Sequence, residues 1–323
     1  MENSVKKPKK VIIGAVLFLL LFASFAQAIA IKPAAATTKS SLIWRSEAGS
    51  SWYASTIWYN ENNVAYDVCN HIEDLYNNYR SSYNWIGLYQ SASVTTSYIN
   101  SFTSTCSSYD YATVFNYAHG GTYTYNAVIY NPPFYVYYVP ITHYLYYAYD
   151  GDVLDRTLYN YAGGSSGSHK FVFQYTCAQA NIVGYYDDDE YDVSGSAYLG
   201  TGPVGFSYAW TGQDYTALSS NGYASPDMGS YCYLGFVDWS KPLCDIANTD
   251  NGKTYGDFVK TFYERLLINN ESVKTALNYA SNDVWGTSFG DSPLNTGYYD
   301  YLPGRGWWYG QMRVFGNGNN GVL

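Results

Sequence analysis

Charge is scarce in this chain of 323 residues: 13% of it is Asp, Glu, Lys or Arg, and 17 Lys+Arg face 26 Asp+Glu. A net charge of −9 excludes nucleic acid held by phosphate neutralisation, which needs a basic footprint. Histidine is scarcer still. His71, His119, His143 and His169 are scattered, and the chain has no CxxC and no HExxH, so no zinc pattern is present and no metal or cofactor is implied. The acidic run Asp187, Asp188, Asp189, Glu190 lacks the spaced ligands and glycine of a calcium loop; structural calcium is unsupported and the run reads as a solvated loop. No apolar run after residue 25 reaches membrane-spanning length.

What is present begins with a three-part N-terminus. Lys6, Lys7, Lys9 and Lys10 precede the apolar run Val11–Phe25 and then Ala26-Gln27-Ala28, the pattern of a secretory signal ending in small residues. The expectation is a signal peptide over 1–28, an N-terminal linker over 29–49 and one domain over 50–323, secreted or at the cell surface, without a stable membrane span after cleavage. Losing that segment moves the net charge from −9 to −12. Tyrosine is abundant instead, with 40 Tyr and 9 Trp, which implies an exterior using phenol hydroxyls in place of charge. Oligomeric state is not encoded in any feature of the sequence.

Hydrophobic periodicity predicts an amphipathic helix over 62–80 (Val64, Val68, Ile72, Leu75, Tyr79), a strand over Trp85–Tyr89, a helix near 94–104 and a buried strand Ala112–Tyr117. Further strands are expected within Thr122–Tyr149, a short helix over Asp152–Tyr161 and a second buried strand over Lys170–Thr176. Residues 184–231 read as loop-rich. The strand Tyr231–Val237, helices over Tyr255–Ile268 and Ser272–Ser281, and a last strand Met312–Phe315 complete the series. Apolar strands alternating with amphipathic helices imply a largely parallel sheet covered on both faces. In such sheets ligands bind beyond the carboxyl ends of the strands.

Two pattern matches fail on context. Gly163–Gly167 fits G-x-S-x-G but precedes a strand, where a nucleophile elbow follows one. Gly200–Gly205 fits G-x-G-x-x-G, yet Pro203 stands where a helix has to open. Paired carboxylates for glycoside hydrolysis are not marked by context either. His119 and Cys177 are different, because each stands directly after a buried-type strand and both therefore belong to one sheet edge. A thiol attacks an acyl carbon as thiolate, and a histidine within reach takes its proton and returns one to the leaving amine. Gly120 and Gly121 beside the histidine let backbone N–H groups approach a developing oxyanion. Five cysteines cannot all pair, and an exported chain meets an oxidising compartment. The expectation is a free Cys177 with Cys69, Cys106, Cys232 and Cys244 as the disulfide-forming set, Cys232–Cys244 first.

Tyr111–Gly121 (YATVFNYAHGG) followed by Lys170–Ala180 (KFVFQYTCAQA) resembles the caspase-like cysteine peptidases, the group of caspases, gingipains, clostripain and legumain, and in particular its secreted gingipain-like branch. The resemblance spans about residues 50–316. It implies an α/β three-layer sandwich with a mostly parallel central sheet flanked by helices, and a secreted cysteine endopeptidase working through an acyl-enzyme on peptide or protein substrates. His119 is implied as general base and acid, Cys177 as nucleophile, and the backbone amides of Gly120 and Cys177 as the oxyanion hole. Thr176 departs from the small alanine common before the nucleophile. Asp187, Asp188 and Asp189, after the nucleophile strand, are candidates for holding a basic substrate residue, and Trp210 is a candidate wall of the same cleft. The alternative from another class is a non-catalytic secreted or cell-surface protein that uses its tyrosine-rich exterior to bind glycans or proteins.

Overall fold

Short apolar runs flanked by polar residues become the strands of one seven-stranded sheet, and the apolar stripes of six longer helices cover its two faces. The computed structural model describes residues 37–46, 56–90, 94–131, 135–162, 169–178, 180, 185–191, 198–203, 205–212, 231–302, 306–319 and 321. The expected signal segment lies outside them. No described helix is long and apolar enough to cross a membrane.

In chain order the elements are β1 (Lys39–Arg45), α1 (Thr56–Tyr79), β2 (Trp85–Gln90), α2 (Thr96–Ser107), β3 (Tyr111–Tyr117), β4 (Gly120–Asn131), β5 (Tyr135–Tyr147), β6 (Asp152–Leu154) and α3 (Asp155–Ala162). They continue with β7 (His169–Tyr175), β8 (Tyr185–Tyr191), β9 (Tyr198–Pro203), α4 (Phe206–Thr211), β10 (Cys232–Asp238), β11 (Ile246–Asn248), β12 (Lys253–Thr254), α5 (Tyr255–Leu267), α6 (Val273–Trp285), α7 (Pro293–Thr296), β13 (Tyr298–Leu302) and β14 (Gly306–Gly316). The main sheet runs β13-β14-β10-β7-β3-β1-β2. Its strands from β2 to β10 are parallel, and β14 and β13 add to β10 as an antiparallel pair.

Two hydrophobic clusters occupy the two faces. One joins α1, α5 and α6 to Phe115, Tyr117, Phe171, Phe173, Tyr175, Leu234 and Phe236. The other joins α2, α3 and α4 to Leu42, Trp44, Val114, Val172 and Tyr233. Period-2 alternation along β3, β7 and β10 sends successive side chains to opposite layers. This is the three-layer α/β sandwich with a mostly parallel sheet that the resemblance implies.

Helix boundaries follow their caps. Thr95 accepts from the Tyr98 N–H at 3.3 Å and starts α2. Thr254 and Asp257 form a capping box on α5, and Ser272 caps α6, which ends at Gly286 in the left-handed region. Each fully buried Ile or Leu of these stripes contributes about 2 kcal/mol.

Several expectations are corrected. Residues 39–45, placed in the N-terminal linker, form β1, flanked by β2 and β3 in the sheet, with Leu42, Ile43 and Trp44 fully buried. The flanking Ser and Lys residues disguised that run. The expected stripe of α1 holds at Val64, Val68, Ile72 and Leu75 and fails at its last member, since Tyr79 is exposed; Glu61, Ala65 and Tyr76 are buried beside it. The loop-rich region contains the paired β8 and β9 and the short α4. The last strand is 11 residues long and pairs with β13, which periodicity did not reveal.

The disulfide expectation fails, since all five cysteines are free thiols. Cys232 opens β10, whereas Cys244 lies past its far end, with a seven-residue strand of about 20 Å between. A disulfide tolerates Cα atoms about 7 Å apart at most. Cys69 and Cys106 sit in opposite clusters with the sheet between them.

Candidate active site

β3 and β7 are neighbouring parallel strands whose last registered pair is Tyr117 with Tyr175. His119 and Cys177 each stand two residues beyond that pair, on adjoining strand ends about 5 Å apart. The cluster assignments of their neighbours agree between the two strand ends. Tyr117 and Tyr175 belong to the α1/α5/α6 cluster, while Ala118 and Ala178, the residues flanking in the opposite phase, belong to the other. Both chemical groups are half-buried.

The nucleophile candidate sits at a strained corner. Ala178, directly after it, has φ 61, a conformation that costs a residue with a Cβ about 1–2 kcal/mol. The corner is held from β10: the Ala178 N–H donates to the Asp238 carbonyl at 2.6 Å and the Ala180 N–H to that of Phe236 at 2.8 Å. Asp238 is itself left-handed, with φ 54. Ser240, two residues on, places Oγ 3.2 Å from the Cys177 sulfur and directs its backbone N–H at it from 3.4 Å.

Electrostatics leave both groups uncharged at neutral pH. Burial pushes the Cys177 thiol up, helped by Asp238, while hydrogen bonds from Ser240 and from its own backbone N–H pull it down. Burial lowers the His119 imidazole to about 4. The result is a neutral imidazole past one strand end and a protonated thiol past the next.

A buried carboxylate joins the end of β3 to the segment that follows β10. Glu61 of α1, 2% exposed, accepts from the Tyr117 phenol and from the backbone N–H groups of Leu243 at 2.8 Å and Cys244 at 2.9 Å. It thus ties the end of β3 to the segment carrying Ser240. Sequence reading missed both residues. Glu61 was detectable as a charged member of an apolar stripe, four residues before Ala65 and seven before Val68; Ser240 was detectable as a hydroxyl just past the next parallel strand.

The remaining expected positions separate. Gly120 opens β4 and pairs with Tyr146 of β5, and Gly121 has no room for a side chain, since a Cβ would meet the Tyr147 hydroxyl at 2.9 Å. Asp187, Asp188 and Asp189 lie on β8, and their side chains fall outside the described ones. Trp210 is not a cleft wall. It is fully buried on α4, donates its indole N–H to the Tyr146 hydroxyl at 3.0 Å and packs edge-on to His169 at 5.0 Å. Among the described residues no cluster of His, Cys, Asp and Glu suits a metal ion.

The fold and site therefore define a parallel-sheet α/β protein with a histidine and a cysteine at adjoining carboxyl ends. No protein-family model matches the chain, and no curated protein matches it. Among solved structures, a protein from Geobacter sulfurreducens is similar with a TM-score of 0.38 and 11% identity, over 87% of this chain and 93% of that one. Caspase-1 from Spodoptera frugiperda is similar with the same score and identity, over 87% of this chain and 88% of that one. At that identity and score neither likeness carries chemistry across.

Proposed function

We propose that the chain is an exported cysteine endopeptidase whose His119 and Cys177 form a catalytic dyad. The observation that carries this reading is the register: both residues stand two steps past one strand pair, on adjoining carboxyl ends of the sheet. A strained corner at Ala178 and a neutral imidazole support it, because strain collects at functional sites and a base has to be unprotonated to act.

As the sulfur attacks the peptide carbonyl carbon, its proton passes to the His119 imidazole and the carbonyl π electrons move to oxygen. The backbone N–H groups of Gly120 and Cys177 are the donors for that oxyanion. Collapse breaks the C–N bond, and the imidazolium gives its proton to the leaving amine. A water then attacks the thioester, His119 takes its proton, and the sulfur leaves and is reprotonated, which releases the acid. Proton transfer concerted with attack suits a thiol that burial keeps protonated at rest.

The test is Cys177→Ala. Hydrolysis of a peptide library drops to background, about 10⁴-fold or more, and iodoacetamide no longer labels that position, while circular dichroism and Tm are unchanged. Unaltered turnover in the variant overturns the dyad.

A further inference from the structure

We propose that the hairpin of β13 and β14 is an exosite, where an extended segment of a protein substrate pairs with the free edge of β13 and is gripped by Tyr299, Tyr301 and Trp307. The exosite role rests on the peptidase reading of His119 and Cys177.

One register row connects the hairpin to the nucleophile. The Ala178 N–H donates to the Asp238 carbonyl, Asp238 pairs with Gly310, and Gly310 pairs with Tyr298. The row is packed tightly. A Cβ on Gly310 would meet the Trp239 carbonyl at 2.3 Å and the Tyr298 ring at 2.5 Å, so only glycine fits. The Tyr298 hydroxyl donates to the Trp239 carbonyl at 2.8 Å, one residue from Ser240. β13 thus begins level with the sheet's carboxyl edge, three strand spacings or about 14 Å from β7.

Direction matters as much as distance. β14 is antiparallel to β10 and β13 antiparallel to β14, so β13 runs the same way as β7. From Tyr298 it climbs past the edge for four more residues, about 13 Å. The hairpin therefore stands beside the rim that bears His119 and Cys177.

Its outward face is a contiguous aromatic surface. Tyr299 and Trp307 are each 71% exposed and Tyr301 is 55% exposed. Cross-strand pairs hold them: Tyr301 against Trp307 at 5.5 Å and Tyr299 against Tyr309 at 5.2 Å. The opposite face is spent on the protein itself, with Trp308 beside Trp239 at 5.7 Å and Asp300 paired to Lys241 at 2.6 Å. An exposed aromatic patch marks an interaction surface, and Tyr and Trp are the side chains that dominate binding energy.

The edge selects the occupant. Among the described residues nothing pairs with the outer side of β13, which leaves a ladder of N–H and C=O groups that only another extended backbone satisfies in register. The exposed positions 299, 301 and 307 all carry aromatic rings, so the segment that fits presents apolar side chains to them. A substrate strand laid there is held close to the rim where its continuation meets Cys177.

The test uses the full chain carrying Cys177→Ala, titrated calorimetrically with reduced, carboxamidomethylated lysozyme as a permanently unfolded chain. Binding is expected, and adding Trp307→Ala or Tyr301→Ala weakens it at least tenfold. With Cys177 restored, the same changes lower kcat/KM on that chain about tenfold and leave a fluorogenic tripeptide unaffected. Absent binding, unchanged binding, or equal losses on both substrates overturns the exosite. So does sedimentation showing that Trp307→Ala only splits a dimer, which assigns the face to a second copy. If wild type cleaves neither substrate, the dyad fails, while a tenfold loss of lysozyme binding still identifies the hairpin as a strand-binding surface.

Discussion

The two strand ends that meet at the site are built on different terms. Past β7 the chain turns at once, through a left-handed Ala178 whose N–H is fastened to β10. Past β3 it takes only Ala118 and His119 before entering β4, and the Tyr147 N–H of β5 donates to the His119 carbonyl at 3.0 Å. The sulfur therefore sits on a rigid, strained corner of the main sheet, whereas the imidazole is held through a neighbouring hairpin. In the proposed dyad the nucleophile is thus fastened to the main sheet and the base to a neighbouring hairpin, which is the lesson of that difference.

The largest effect separates the two ends by chemistry. His119→Ala is expected to lower kcat/KM about 10³-fold, with Cys177 still alkylated by iodoacetamide. The pH profile sharpens this. Burial holds the folded His119 imidazole at about 4, below its ordinary 6.5, so it stays a competent base down to about pH 5 and loses activity as pH falls through 4. Stability moves with the same sign: the unfolded imidazole takes up a proton below 6.5 and the buried one only near 4, so the His119 contribution is lost over that window on acidification. An acid limb centred at 6.5 would place the imidazole in water.

A middle-sized effect concerns what ties the end of β3 to the segment after β10. Glu61→Ala strands the Tyr117 phenol and the Leu243 and Cys244 amides, and unfolding in urea should show a loss of about 3 kcal/mol. A loss under about 0.5 kcal/mol would mean that the end of β3 and the segment after β10 are held independently.

The smallest effect compares two alanines directly. Ala178→Gly removes a Cβ from a left-handed residue and is expected to raise stability by about 1 kcal/mol. Ala118→Gly, at a buried position outside the left-handed set, should lower it by about the same amount. Equal signs in thermal unfolding would erase the contrast between the corner and the run.

Sequence periodicity revealed the centre of the sheet because β3, β7 and β10 are buried on both faces and read as apolar runs, interrupted by Thr113, Asn116 and Gln174. The same runs located His119 and Cys177, since each marks a strand's end. What it missed lies where that signal breaks. β1 carries two buried serines, Ser40 and Ser41, and passed for linker. β13 is an edge strand with exposed rings, so no apolar run announces it. Glu61 extends a helix stripe past the start expected for it at residue 62, and parity among five cysteines said nothing of the layers that keep them apart.

The protonated state of Cys177 has a chemical corollary. Peroxides and foreign disulfides react with thiolate, and a sulfur that stays neutral under the cover of Ser240 offers them little of it. If the proposed dyad operates, such a sulfur resists oxidation at rest and spends its reactivity only when an electrophile arrives beside a histidine ready to take the proton.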